Sequence, residues 1–223
     1  MKGDGEVGGG SEASGRYSEP GYLDLPLRAF LGLLADDQPA PAGGAAAALG
    51  IALAASLCAM AARLSRRQLP EAAELAAEAT RLADMVAPLA QADAEAYRAV
   101  IAARSRPTGA PAGTGAPAEP GAPAATDDDQ RRRRLAAALS DAADVPMRVA
   151  EIGAQVAALA ARLAVHGHPN LHGDAITAAL LAEAGTRSAC ALVRIILSAA
   201  ESDERLARVA RLLAAMPSAD AVP

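Results

Sequence analysis

Apolar residues recur along the chain at helical spacing. Leu27, Phe30, Leu31 and Leu34 mark one face of a short helix that ends at Asp36 and Asp37, ahead of Pro39 and Pro41. A Pro-Ala-Pro-Ala-Gly-Gly turn then leads into a long alanine-rich helix from about Gly43 to Arg67, and Pro39 to Ala62 carries no charge. Arg63, Arg66 and Arg67 sit at its end, where the negative pole of the helix dipole favours cations. Pro70 and Glu71 open the next pattern, in which Leu75, Leu82, Met85, Val86 and Leu89 give a helical period to about Arg106. Pro88 lies inside it and predicts a kink or a break. Leu135, Leu139, Val145, Val149, Ile152, Val156, Leu159 and Leu163 continue to about Val165, with Pro146 in the interior. A helix from about Asp174 to Ala199 and a last one, capped by Ser202 and ending near Met216, complete the pattern. About six helices at this spacing predict an all-α, multihelical up-and-down bundle.

Two kinds of segment depart from that pattern. The start, M-K-G-D-G-E-V-G-G-G-S, is glycine-rich and acidic without an apolar signal-peptide region, so residues 1–20 read as a disordered leader. Residues 107–126 are low-complexity Pro, Gly, Ala and Thr, which read as a flexible loop within one helical domain spanning 21–216; 217–223 form a tail. Thr126 caps the helix after the loop, and its Asp127–Asp129 and Arg131–Arg134 runs pair at i, i+4 as a solvated helix start rather than a basic patch.

Composition supports the helical reading. Alanine, leucine and arginine dominate, aromatic residues make up 2% of the 223, and there is no Trp. A net charge of −5 and the scarcity of stacking aromatics argue against a nucleic-acid partner. Cys58 and Cys190 sit in apolar helical runs, as small buried thiols do in a reducing compartment, and the protein is expected in the cytoplasm. The uncharged stretch exceeds the ~18 residues a membrane span needs. It is filled with Ala and Gly, however, lacks an aromatic belt and starts in a Pro/Gly turn, so it reads as a buried helix and no membrane is expected.

Three places carry candidate chemistry. His166, His168 and His172 share one turn at a spacing zinc can use, but no cysteine is near and a Gly-Pro turn does not enforce tetrahedral geometry; they read as loop polarity, with no metal expected. Asp93 and Glu95 stand in Q-A-D-A-E-A-Y, where an Asp inside a helix among small residues is either plain surface or an acid that a ligand approaches closely. The backbone N–H groups at Gly43 and Gly44 open a helix and suit an anion; the same glycines also serve close packing.

Taken in order, these segments resemble the cyclodeaminase/cyclohydrolase family of folate one-carbon metabolism, from about Leu23 to Glu204. P-A-P-A-G-G-A-A-A-A-L-G is similar to the family's Pro-x-Pro-Gly-Gly-Gly-Ser turn and small-residue helix, and S-R-R-Q-L to the basic pair at that helix's end. A-D-A-E-A-Y resembles Asp-Ala-Glu-Ala-Phe, D-V-P-M-R-V-A-E the valine-proline helix, and G-H-P-N-L-H-G-D the Gly-Asn-x-x-x-x-Ser-Asp turn. The resemblance implies a helical homodimer acting on a tetrahydrofolate derivative, with no cofactor beyond that substrate. It implies hydrolysis of 5,10-methenyltetrahydrofolate or deamination of 5-formiminotetrahydrofolate, with Asp93 as the catalytic acid/base. Asp174, Gly43, Gly44 and Asn170 become substrate-binding positions, and Arg66 and Arg67 partners for the substrate's carboxylates. The absence of a formiminotransferase half in this stretch favours hydrolysis.

Several family polar positions are replaced. The turn's first glycine is Ala42 and its serine Ala45; an acid two before Asp93 is Gln91; the second turn has His168 and Gly173 for Asn and Ser; Leu192 and Ile196 stand for two asparagines. These changes suit a bundle core, and they leave a catalytically degenerate dimer that binds a ligand or partner protein as the alternative reading.

Overall fold

The computed structural model describes residues 21–105, 124–200 and 202–216, with the side chains of 124–128 excluded. The expected leader, the loop up to residue 123 and the tail lie outside the described residues. Within them the elements are α1 (Leu27–Ala35), α2 (Gly43–Leu64), α3 (Ala72–Val86), α4 (Leu89–Arg104), α5 (Ala124–His166), α6 (His172–Ile196) and α7 (Glu204–Ala215), with short 3₁₀ turns at Tyr22–Asp24 and Pro169–Leu171. No strand occurs among the described residues, as an all-α chain requires.

Pro88 ends one helix and starts the next, so the single pattern over 71–106 becomes α3 and α4. Pro146, by contrast, lies within the continuous 43-residue α5. That helix begins at Ala124, so Thr126 lies inside it rather than capping it, because the backbone is already helical two residues earlier. Asp129 meets Arg132 at 3.8 Å, an exposed i, i+3 pair of little weight for stability. The uncharged helix stops at Leu64, and Arg66 and Arg67 stand in the turn beyond it.

The centre of the bundle is α2, which packs on α3, α4, α5 and α6. Its alanines permit this: Ala45, Ala48, Ala54, Ala55 and Ala62 are fully buried, so neighbouring backbones approach closely. Its largest fully buried side chain, Ile51, is received by two glycines. A Cβ at Gly153 of α5 would lie 2.7 Å from Ile51 Cδ1, and one at Gly185 of α6 would lie 2.6 Å from Ile51 Cγ1. At the far end of α2, the buried Ser65 hydroxyl donates to the Ala61 carbonyl (2.7 Å) and accepts from the His168 backbone N–H (2.8 Å). The histidine turn is thereby fastened to the C-terminal end of α2, and α6 returns along α2 in the opposite direction.

Asp203, not Ser202, caps α7, its carboxylate accepting from the Arg205 backbone N–H (2.9 Å). The Arg205 guanidinium then reaches Asp203 (2.7 Å), Asp144 (2.6 Å) and the Ser140 carbonyl (2.8 Å), tying α7 to α5. Hydrogen bonds from the Arg205 side chain and backbone hold the Asp203 carboxyl down at about 2. A depressed carboxylate pKa contributes stability above its unfolded value and loses it as pH falls through the folded one. The α7 dock is therefore expected to persist at pH 5 and to loosen between pH 3.8 and about 2. Arg205→Ala should abolish that dependence and speed amide hydrogen exchange in α7 while sparing α2; unchanged α7 protection would refute it.

By length and composition, three segments are apolar enough to cross a membrane: Gly43–Leu64, Asp129–His166 and Pro169–Ile196. Each turns a face into the bundle, with 56%, 56% and 44% of its most apolar window buried.

Candidate functional site

The start of α2 lacks a side chain to satisfy its exposed N–H groups, because the capping position is Ala42. The missing acceptor comes from α4: the Asp93 carboxylate takes a hydrogen bond from the Ala45 backbone N–H, the third residue of α2. Asp93 lies directly against Gly44, where any Cβ would fall on the carboxyl group. Gly44 thus makes room for an acid, which is a stricter demand than helix packing alone.

Two effects oppose one another on that carboxyl. Burial raises its pKa above the ordinary value, and the Ala45 hydrogen bond lowers it; burial is the larger and the net shift is upward. A carboxylate moved towards neutrality while held on a helix N-terminus is suited to taking and returning a proton. The pair Asp93–Gly44 is thereby specified by shape and by charge together.

Beyond Asp93 the same helix helps to wall a cavity of about 510 Å³. Its lining is Gln38, Pro39 and Ala40 from the segment entering α2, with Arg98 and Ile101 from α4. Arg98 donates to the Tyr22 hydroxyl (3.2 Å) and has no acidic partner among the described residues. Gln91, two residues before Asp93, faces elsewhere: its amide donates to Glu95 (3.0 Å), and its buried Oε1 has no donor among the described residues.

The sequence-derived site residues divide into two groups. Gly43, Gly44 and Asp93 meet at the N-terminal end of α2. Arg66, Arg67, Asn170 and Asp174 gather around its C-terminal end, where His168 is fastened to Ser65. The helical stretch from Ala45 to Leu64 separates the groups, about 30 Å at 1.5 Å per residue. In one copy of the chain, Arg66 and Arg67 therefore cannot contact a small molecule held at Asp93. Of the histidines, His168 Nδ1 accepts from the Asn170 N–H (3.1 Å), and His172 Nδ1 lies 3.0 Å from the Ala164 carbonyl oxygen. The polar role of the Ala45 N–H was invisible in side-chain identities; its signal was a helix start with no capping residue.

Gly44→Ala places a methyl group where the Asp93 carboxyl now lies and displaces it from the Ala45 N–H. A shift of about 1 Å at a reacting group costs on the order of 10²-fold in rate, which is the loss expected for this variant. Gly32→Ala in α1, whose Cβ would meet nothing within 4 Å, is the control. Equal rates for the two variants would show that the Gly44–Asp93 fit is not used.

The structure is thus an all-α bundle in which a carboxyl whose pKa is raised by burial is seated on a glycine-cleared helix start. The particular family follows from comparison: the formiminotransferase-cyclodeaminase profile matches residues 26–214, and the chain belongs to that family. It is 31% identical over 204 residues to a methenyltetrahydrofolate cyclohydrolase from Methylorubrum extorquens, covering 84% of this chain and 88% of that protein. Its fold is similar to the crystal structure of formiminotetrahydrofolate cyclodeaminase from Thermotoga maritima, with a TM-score of 0.67 and 25% identity, covering 85% of this chain and 87% of the other.

Proposed function

We propose that this protein is a folate one-carbon enzyme that hydrolyses 5,10-methenyltetrahydrofolate, with Asp93 as its acid/base. The observation that carries the reading is the burial-raised Asp93 carboxyl held between Gly44 and the Ala45 N–H. The bridge carbon of the substrate is cationic and flanked by two nitrogens, so a carboxylate beside it stabilises charge and transfers protons. Water bonds to that carbon through oxygen while Asp93 takes one of its protons. One C–N bond then breaks, Asp93 returns the proton to the departing nitrogen, and the remaining hydroxyl proton leaves to solvent as the formyl carbonyl forms. The balance is one water consumed and one proton released. Hydrolysis is preferred over deamination because the relative covering most of both chains at 31% identity is named for it. The reading needs no metal and no cofactor beyond the tetrahydrofolate, and it places the protein in the cytoplasm as a homodimer without nucleic-acid or membrane partners.

The test is to follow loss of the methenyl chromophore with purified protein, and to identify the product as the formyl compound. A rate no greater than that of buffer would overturn the proposal. Because Asp93 must be ionised to accept a proton, the rate should rise with pH through a midpoint higher than that of an ordinary aspartate.

A further inference from the structure

Arg98 is held in place by a neutral partner. Its guanidinium donates to the Tyr22 hydroxyl (3.2 Å), and no acid among the described residues meets it. Tyr22 is itself anchored: it is 8% exposed and packs edge-to-face on Phe30, with ring centroids 5.6 Å apart. Its hydroxyl oxygen accepts from Arg98, and nothing among the described residues accepts the proton that the hydroxyl carries. A guanidinium with its charge unmatched and a buried phenol with its donor unused therefore stand side by side. One oxyanion would satisfy both. The cavity that Arg98 lines has apolar walls from Pro39, Ala40 and Ile101, and an amide from Gln38. Gln38 also donates to the Asp37 carboxylate (3.2 Å), an exposed acid that solvent screens. The cavity is thus matched to a carboxylate carried on an apolar body.

We infer that this cavity holds the aminobenzoyl-glutamate tail of the substrate, with one tail carboxylate on Arg98 and the Tyr22 hydroxyl. Asp93 does not line the cavity, yet the same two elements bound both. Arg98 follows Asp93 by five residues on α4, about 8 Å along the helix axis. Ala40 precedes Gly44, which lies against Asp93, by four residues on the way into α2. In a tetrahydrofolate, one aromatic ring and one amide bond separate the bridge nitrogen from the glutamate, a comparable span. One copy of the chain thereby offers a carboxylate partner on the Asp93 side of α2, whereas Arg66 and Arg67 stand beyond its other end. A carboxylate held this far from the reacting carbon is gripped equally in the ground and transition states, so Arg98 acts on KM rather than kcat. The identity of the ligand rests on the proposed folate reaction; the carboxylate site does not.

Titration calorimetry with p-aminobenzoyl-glutamate, which has no bridge carbon to react, measures the site without turnover. Wild type should bind it about tenfold or more tightly than p-aminobenzamide, which lacks the carboxylates. Arg98→Gln should lose about 10- to 100-fold in affinity for the glutamate compound, and its KM for methenyltetrahydrofolate should rise by the same factor with kcat little changed. Arg98→Lys keeps the charge without the planar fork and should recover part of the loss. Tyr22→Phe keeps the ring on Phe30 and should cost about 3- to 10-fold. A wild type that binds the two compounds alike or not at all would overturn the site. So would an Arg98→Gln protein with unchanged affinity and helical circular dichroism. Inorganic phosphate binding as tightly as the glutamate compound would overturn the assignment to the tail. Turnover with KM unchanged in Arg98→Gln would leave the reaction standing and remove the inference. Arg98-dependent binding by a wild type that does not hydrolyse the substrate would refute the proposed reaction and leave the carboxylate site in place.

Discussion

Asp93→Asn is expected to lower turnover of methenyltetrahydrofolate by about 10²- to 10⁴-fold, the range typical of a positioned acid/base, while making the protein more resistant to unfolding. The two effects share one cause. Burial raises the Asp93 pKa, so the folded state disfavours the charged carboxylate relative to the unfolded chain. For a raised carboxyl, the unfolded chain gives up its proton first as pH rises. Stability is therefore fully present below the unfolded value, falls as pH climbs, and levels off above the folded value. Asparagine is neutral throughout and retains an oxygen that accepts from the Ala45 N–H. The variant should accordingly melt higher than wild type at pH 7, and the difference should vanish near pH 3. Melting curves at both pH values, alongside the chromophore assay, separate the outcomes. A variant that is inactive and melts lower would mean that Asp93 holds the fold, not the chemistry.

Such a trade of stability for function is consistent with how α2 is built. The start of a helix is ordinarily capped from its own chain by Ser, Thr, Asp or Asn, and here Ala42 offers nothing. The cap arrives instead from a residue some fifty positions later, which ties the helix end to Asp93. Capping Ala42 locally, as Ala42→Ser, would make Asp93 dispensable to α2 without giving it a better place to act.

The helices were legible in the sequence because each depends on its own residues. The apolar period marked their faces, Pro88 marked the break between α3 and α4, and the uncharged run marked α2. Asp93 was legible only through the family-like A-D-A-E-A-Y motif, since a lone helical Asp among alanines is equally well read as surface. Its contact with Gly44 and Ala45 was not legible, because periodicity says which face a residue occupies and not which helix end it meets. The same blindness hid how far Arg66 and Arg67 stand from Asp93 within one copy of the chain. They are close to the small-residue helix in sequence, yet they stand beyond its opposite end, and only the length of α2 reveals the distance. Ser65 carried no signal at all, although its hydroxyl is what positions the histidine turn.

The largest effect on stability is expected at Ile51. It is fully buried between Gly153 of α5 and Gly185 of α6, in a core where most neighbours are alanines with little freedom to move inward. Ile51→Ala should cost about 3–5 kcal/mol, the upper part of the range for such truncations, because helices held apart by their own backbones cannot collapse on the void. For a domain of this size that corresponds to a fall in melting temperature of roughly 10 °C. Gly185→Ala should also destabilise, since its methyl would press on Ile51 Cγ1 and approach the Ala47 carbonyl oxygen. The two changes are complementary in shape: shortening Ile51 removes the first of those contacts. The double variant should therefore be more stable than the sum of the single losses implies, with a coupling of about 1–2 kcal/mol. Chemical denaturation of the four proteins measures that coupling directly. Strict additivity would mean that α2 and α6 separate when the methyl is added, in which case the glycine, and not the isoleucine, sets how closely these helices approach.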